Sequence, residues 1–323
     1  MALDHYVSQV HLRQFYSPSL RNRLYAIRKS DMKAFTPRSE DVCRITDGST
    51  NAYLREPRAI EEFLRTIEPK YTSALDKLRT GAVDQECVYV VAGFISYVLT
   101  CSPAAMRLQS GPLRSQVETV TAMMDARGAL PQLPPQLGGG SLTDLIHKGT
   151  IEIAIDPKYP QAIGIESILE LTSTFGNFTW EVIPSEEEDR QFFTSDFPVA
   201  IERAGDPRLV NRIIPLAPDL ALRTRPDPSF DRNQADLSFH RFRYERRQPS
   251  RNELAELNRL IVRCAEDLVF YRDDRPWVQR FVSKNRAYHI APHTEKIPSP
   301  TGGTFLISTY RVAARRTPLN RKS

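Results

Sequence analysis

Six side chains in this sequence have the types and spacing to form a polar site: His5, Gln9, Glu68, Arg107, Ser195 and Asp196. His5 and Gln9 are four residues apart, the spacing that brings two side chains together on a helix. A satisfied histidine tying the N-terminus to the core explains that pair as well as a site does. The second feature is Phe193-Thr194-Ser195-Asp196-Phe197-Pro198, a strand end carrying three hydrogen-bonding side chains and closed by proline. Asp196 there can cap a turn. Alternatively, as a carboxylate at a cleft edge, it can orient a histidine, ligate a metal or accept a proton. Ser195 and Asp196 project to opposite faces if the strand continues, so only one need face such a site. Glu68 precedes Pro69, beside an apolar helical face, and is either a core-edge residue or aimed into a cleft. His11, off the face of His5, reads as structural.

No nucleophile-elbow serine, HExxH, dinucleotide-binding glycine fingerprint or kinase signature occurs. The Gly138-Gly139-Gly140 run follows no strand and lacks the Lys-Ser/Thr of a phosphate loop, so it reads as a flexible connection. Nothing in the sequence specifies a metal or a cofactor. Cys43, Cys87, Cys101 and Cys264 lack CxxC spacing, and the last three fall within apolar helical patterns, as buried small hydrophobes in a reducing cytoplasm do. The N-terminal MALDHYVSQVHLRQF has no basic head leading into an apolar run, so neither a signal peptide nor a membrane anchor is expected.

The elements that must position those groups centre on Cys87 to Cys101, which is apolar on every side and reads as a helix buried all round. Its fifteen residues fall short of the roughly 20 that a bilayer crossing needs. Asp84 stands at the N-cap position and Pro103 just beyond the end. Before it, Ile60, Phe63, Leu64, Ile67, Tyr71, Leu75 and Leu78 mark a helical face that Pro69 must kink or divide. After it come an amphipathic helix through Leu113, Val117, Val120 and Met124, and a loop over residues 129–141 rich in proline and glycine. Ser141 to Asp144 resembles a capping box, and a helix is expected from Ala162 to Phe175. The run from Ile151 to Ile155 is ambiguous between helix and strand.

Short β runs start at Leu24 and Val42, read as a small hairpin or edge sheet, and then at Thr179, Gln191, Pro198, Arg212 and Leu220, read as a mostly antiparallel sheet. The acidic residues Glu186 to Asp189 lie in a turn of that sheet. Ser250 and Glu253 form a capping box opening a long helix through Leu254, Leu257, Ile261, Cys264 and Leu268. A shorter helix holds Trp277 and Phe281, and the segment from Thr304 reads as a last strand. The fold class is therefore α+β: a helical core around a buried central helix, packed with a small, mostly antiparallel, short-stranded sheet. The chain reads as a single domain over residues 1–323, with a helical lobe at 50–178, a β-rich lobe at 179–225 and C-terminal helices at 250–285.

The start, His5-Tyr6-Val7-Ser8-Gln9 followed by Leu12-Arg13 and Phe15, resembles the opening His-Tyr-Val-Pro-Gln motif of the bacterial family called domain of unknown function 4238. Phe193 to Val199 and Pro215 to Pro218 resemble that family's second landmark. Ser8 stands where the family usually has proline. Cys101 stands near an expected arginine ahead of Pro103, which bears on Arg107 as half of an arginine pair. The resemblance carries no established reaction. It does make a meeting of the two motifs at one site, including His5, Gln9, Ser195 and Asp196, more economical than two unrelated structural needs.

The net charge of +5 permits polyanion binding without requiring it. Arginines cluster at Arg241, Arg243, Arg246, Arg247 and Arg251, beside His240, and again in the tail at Arg311, Arg315, Arg316, Arg321 and Lys322. The first cluster is either a solvated loop or a nucleic-acid-binding surface. Two functional readings follow. One is a cytoplasmic hydrolase or nuclease-like effector acting on a nucleotide or nucleic acid, with His5 as acid/base or metal ligand and Asp196 as its partner; the resemblance leaves room for a role in phage defence. The other is a non-enzymatic interaction or sensor module in which both motifs are structural and the segment from His240 docks a protein.

Overall fold

Asp84 begins the architecture as its position predicts: its carboxylate accepts the Cys87 N–H at 2.8 Å and opens a helix whose side chains are buried on every side. That helix belongs to a computed structural model that describes residues 3–131, 133, 134, 136, 140–186, 191–206, 209–230, 235–299 and 304–315. The chain opens with β1 (Leu3–His5), α1 (Gln9–Arg13), β2 (Tyr25–Arg28), β3 (Ala34–Phe35) and β4 (Arg44–Thr46). Helices follow: α2 (Ala59–Ile67), α3 (Tyr71–Thr80), α4 (Gln85–Cys101), α5 (Pro103–Ala126), α6 (Leu142–His147), α7 (Lys158–Glu166) and α8 (Ile168–Gly176). Next come β5 (Thr179–Pro184), β6 (Thr194–Ser195), β7 (Ala200–Arg203), β8 (Val210–Ala217), β9 (Leu220–Arg225) and β10 (Arg243–Arg246). The last elements are α9 (Arg251–Cys264), β11 (Leu268–Tyr271), α10 (Val278–Asn285), β12 (Tyr288–Pro298) and β13 (Thr304–Ala314). The fold is α+β.

Prolines divide the helices. A single 3-10 turn at Glu68–Lys70 separates α2 from α3, because Pro69 cannot supply a helical N–H. Pro103 begins a helix rather than merely following one: it sits in the first turn of α5, behind a Ser102 side chain that accepts the Ala105 N–H. Gly93 lets α2 approach α4 closely, since a Cβ there would lie 3.0 Å from Ile67 and 3.1 Å from Phe63.

The largest sheet has the order β10-β5-β9-β8-β7 and is antiparallel except for the β10–β5 pair. A four-stranded antiparallel sheet, β3-β2-β11-β6, lies apart from it. Two expectations change here. The runs at Leu24 and Val42 do not pair with each other, because β2 takes β3 and β11 while β4 takes β1. The run at Gln191 leaves the large sheet and contributes β6 to the smaller one. The helix from Ser250 also ends early, at Cys264, and Leu268 starts a strand. The backbone N–H groups of residues 266–268, which a longer helix would need, are taken instead by Asp196. Ile151 to Ile155 forms neither helix nor strand.

One apolar cluster takes in residues from α2 to α5, from α7 and α8, and from β5, β7, β8 and β9, extending to Ile290. A smaller one joins Val7, Leu12, Leu24, Ala26, Val42, Cys43 and Phe270 beneath the N-terminal strands. Among the described residues no single helix is long and apolar enough to cross a membrane. Part of the expected loop (residues 132, 135 and 137–139), together with Glu187, Glu188, Asp189, Arg316, Arg321 and Lys322, lies outside the described residues.

Candidate functional site

The two sequence motifs do meet, through His11 and Thr194. His11 is fully buried on α1, where its Nδ1 shares a 2.9 Å hydrogen bond with the Tyr71 hydroxyl and its Nε2 shares one of 2.9 Å with the Thr194 hydroxyl. Its ring stacks on Phe94, centroids 4.7 Å apart. Burial pushes the imidazole down to about 3, so it stays neutral and its two nitrogens serve as one donor and one acceptor. Every polar atom of this junction is satisfied, so it braces three segments that are distant in sequence.

His5 lies elsewhere. The Gln9 amide donates to His5 Nδ1 at 3.5 Å, the Tyr97 hydroxyl donates to the His5 carbonyl, and Nε2 is buried with no hydrogen-bond partner among the described residues. Burial pulls the imidazole below its usual value, opposed first by the backbone of Glu40 and Ser39 and least by Glu68. Glu68 accepts the Ser8 hydroxyl at 2.5 Å. Thus His5, Gln9 and Glu68 share one neighbourhood, at the edge of the core.

Ser195 and Asp196 serve the backbone. Ser195 Oγ accepts the Phe197 N–H at 3.1 Å. The Asp196 carboxylate accepts the N–H groups of Glu266, Asp267 and Leu268 at 2.8, 2.7 and 2.8 Å. Burial pushes this carboxyl up to about 6, opposed by those amides and by the ammonium of Lys29. Lys29 is itself buried and donates to the carbonyls of Val262, Ala265 and Tyr288 at 2.8, 2.6 and 2.9 Å. Among the described residues no hydrogen bond or ion pair joins Asp196 to His5; the side chains whose charge bears on Asp196 include Lys29 and Glu266.

What Asp196 and Lys29 hold in place is the floor of a basin. Glu266, fixed by the Asp196 clamp, pairs with Arg107, whose guanidinium also donates to the Ile290 carbonyl at 2.9 Å. Glu266 and Asp267 lie in a solvent-open cavity of about 970 Å³ that is also lined by Arg107, Arg286, His289, Arg311 and Arg315. The β12–β13 pairing explains the convergence. His289 stands opposite Ala313 and Ala291 opposite Arg311, on one face, while Ile290 and Val312, also paired, pack on the core. Arg315 approaches Asp267 at 3.9 Å. Arg286 and Arg311 are exposed and have no side-chain hydrogen bond or ion pair among the described residues. His289 Nδ1 is buried with no hydrogen-bond partner among the described residues, and the imidazole is pulled below its usual value by burial and then by Arg107, against Glu266. Sequence reading placed Arg311 and Arg315 in a basic tail but did not single out Lys29, Glu266, Arg286 or His289.

The cluster at residues 241–251 is largely engaged. Arg247 pairs with Glu181 and Glu253, Arg241 approaches Asp227 at 3.5 Å, and Arg246 donates to the Arg79 carbonyl. Glu181 is fully buried and receives three guanidiniums, from Arg223, Arg225 and Arg247. Burial works against its charge, yet those arginines hold the carboxyl below its usual value. Arg243 and Arg251 remain exposed. Among the described residues no group of three or more His, Cys, Asp or Glu side chains is placed to hold a metal ion.

A family model described as Protein of unknown function (DUF4238) matches residues 4–275. Comparison with curated proteins and with solved structures finds no match. The basin straddles the end of the matched span: Lys29, Arg107, Glu266 and Asp267 lie inside it, and Arg286, His289, Arg311 and Arg315 beyond it.

Proposed function

The chain belongs to the DUF4238 family of proteins of unknown function, and we propose that it binds a phosphate-bearing ligand, a nucleotide or nucleic acid, in the basin between Arg107 and β13. The observation that carries this is the convergence of four arginines and His289 on one open cavity in which Arg286 and Arg311 have no carboxylate partner among the described residues. Guanidinium groups match phosphate oxygens bidentately, and a concave site concentrates their field. The two acidic groups present are the ones that orient Arg107 and Arg315. In this reading the N-terminal motif and the Thr194-Ser195-Asp196 motif act as supports, Asp196 by fixing the backbone of Glu266. The four free, buried cysteines support a cytoplasmic setting.

A fluorescein-labelled single-stranded oligonucleotide provides the test. Its anisotropy should rise at low salt and fall steeply as salt increases. Arg286→Glu with Arg311→Glu should weaken binding by about tenfold or more, whereas Arg243→Glu with Arg246→Glu should leave it within about twofold. Loss only in the second pair would move binding to β10 and refute the basin. Competition by inorganic pyrophosphate would mark phosphate, rather than base, as the recognised group.

His289 favours a hydrolytic second reading. The His289 ring lines the cavity among arginines, and burial holds it toward the neutral form; through the ring nitrogen other than the buried Nδ1 it can take a proton from water while the guanidiniums stabilise the charge that develops on a phosphoester. If so, His289→Ala should cut hydrolysis of bis(p-nitrophenyl) phosphate by about 100-fold or more with oligonucleotide affinity unchanged. No turnover in the unmodified protein would leave a binding module.

A further inference from the structure

A second cavity, of about 450 Å³, opens between the first turns of α9 and the start of α10, at the other end of this helix pair from the basin. Its wall is mainly apolar, from Leu254, Pro276, Trp277 and Phe281. Trp277 stacks on Phe193 with centroids 5.7 Å apart and planes 24° from parallel, and meets Phe281 edge-on at 5.8 Å. The indole is thereby held from behind, yet 44% of the residue stays exposed. Such a large aromatic surface, fixed in place and open to a cavity, is a platform for another ring.

Two guanidiniums line the same cavity. Arg251, the first residue of α9, and Arg275, just before α10, are exposed, and neither has a side-chain hydrogen bond or ion pair among the described residues. Asn258 also reaches the cavity, but its amide is already occupied: Oδ1 accepts the Phe193 N–H at 2.9 Å and Nδ2 donates to the Gln191 carbonyl at 2.8 Å. The chemistry on offer is thus an aromatic platform with apolar walls and two cations at the rim.

We propose that this cavity binds a small planar aromatic molecule carrying one anionic group, with the ring against Trp277 and the carboxylate or phosphate between Arg251 and Arg275. The volume falls within the roughly 300–1,000 Å³ usual for small-molecule sites. Burying the ring face displaces water from apolar surface, while a fork of N–H donors fixes the anion. The proposal does not depend on the basin, which shares no lining residue with this cavity.

The protein carries its own reporter, because it has two tryptophans and the other, Trp180, is fully buried. Adenosine 5′-monophosphate and benzoate are titrated while tryptophan emission is followed, with adenosine and inorganic phosphate as partial ligands and calorimetry as a second readout. A saturable change with the monophosphate, the benzoate or both, at least about tenfold tighter than with adenosine or phosphate alone, supports the proposal. Which of the two binds identifies phosphate or carboxylate as the preferred anion. Arg251→Ala with Arg275→Ala should weaken the emission-detected binding about tenfold, and Trp277→Phe should remove the emission change. Failure of both anionic probes to saturate overturns the proposal, as does affinity unchanged in the Arg251/Arg275 variant or adenosine binding as tightly as its monophosphate.

Discussion

His11 and His289 are both histidines on elements that border the core, and their surroundings make them opposites. Around His11 each ring nitrogen has a partner, from Tyr71 and from Thr194, and the residue is fully buried. Around His289 one nitrogen has no hydrogen-bond partner among the described residues, arginines outnumber carboxylates, and a cavity of about 970 Å³ lies open. The first arrangement gains stability by leaving nothing unsatisfied. The second keeps charge in reserve, which costs stability through like-charge repulsion and is useful only if an anion arrives. The junction joins the two motif segments through His11 and Thr194, whereas the basin has no motif; in the reading proposed above, the motifs hold the fold and the unpaired charge meets the ligand.

The contrast is broken most directly at Asp196. Asp196→Ala strands three part-buried backbone N–H groups at about 1–3 kcal/mol each, so a loss of roughly 5 kcal/mol is expected by urea denaturation. Because Glu266 would lose its anchor, oligonucleotide affinity in any folded fraction should fall too. An unchanged denaturation midpoint would show that this carboxylate is not a brace.

His11 gives the next largest effect, as a dependence on pH. Its imidazole ionises near 6.5 when unfolded but only at about 3 when folded, owing to burial. The unfolded chain therefore binds a proton that the native one refuses: the stabilisation is complete above pH 6.5 and is lost as pH falls toward 3. At about 1.4 kcal/mol per pKa unit, the loss approaches roughly 5 kcal/mol. Comparing stability against pH for the unmodified protein and His11→Gln should show this slope only in the former. Coincident slopes would mean that His11 is charged in the fold.

Gly93→Leu comes third. The close approach of Ile67 and Phe63 leaves no room for a larger side chain, and overpacking should cost about 1 to 3 kcal/mol in a thermal melt. An unaltered melt would mean that α2 can move away from α4 without loss, and that this side of the core is looser than the His11 junction.

Much of this architecture can be read locally. An all-round apolar run with Asp84 before it specifies α4, Ser250 with Glu253 specifies the start of α9, and short runs bounded by Pro, Asp or Gly specify β5, β7, β8 and β9. What escapes is decided at long range. Leu268 to Tyr271 continues the apolar sequence of α9 but becomes a strand because Asp196, about 70 residues earlier, captures the turn before it. Similarly, β2 and β4 look like neighbours until β11 and β1 claim them. The basin draws on residues from Lys29 to Arg315 and has no motif, so only the charge surplus of the tail hinted at it. His5, Gln9 and Glu68 share a neighbourhood, but spacing alone could not reveal that Asp196, expected to join them, faces a backbone turn instead.

The smallest expected effect is the one that sharpens the comparison furthest, because His5 has features of both regions. Like His11 it sits in the N-terminal motif, and like His289 it has a buried ring nitrogen with no hydrogen-bond partner among the described residues. Its one side-chain bond, to Gln9 at 3.5 Å, is long, and the Tyr97 hydroxyl binds its backbone, which an alanine would retain. Removing an unsatisfied buried nitrogen also removes its desolvation cost. His5→Ala should therefore change stability by less than about 1 kcal/mol and leave oligonucleotide affinity within about twofold. A drop of several kcal/mol would place His5 with His11 among the braces. Unaltered stability with lost binding or turnover would instead return the working site to the N-terminal motif and leave the basin as a surface that merely carries charge.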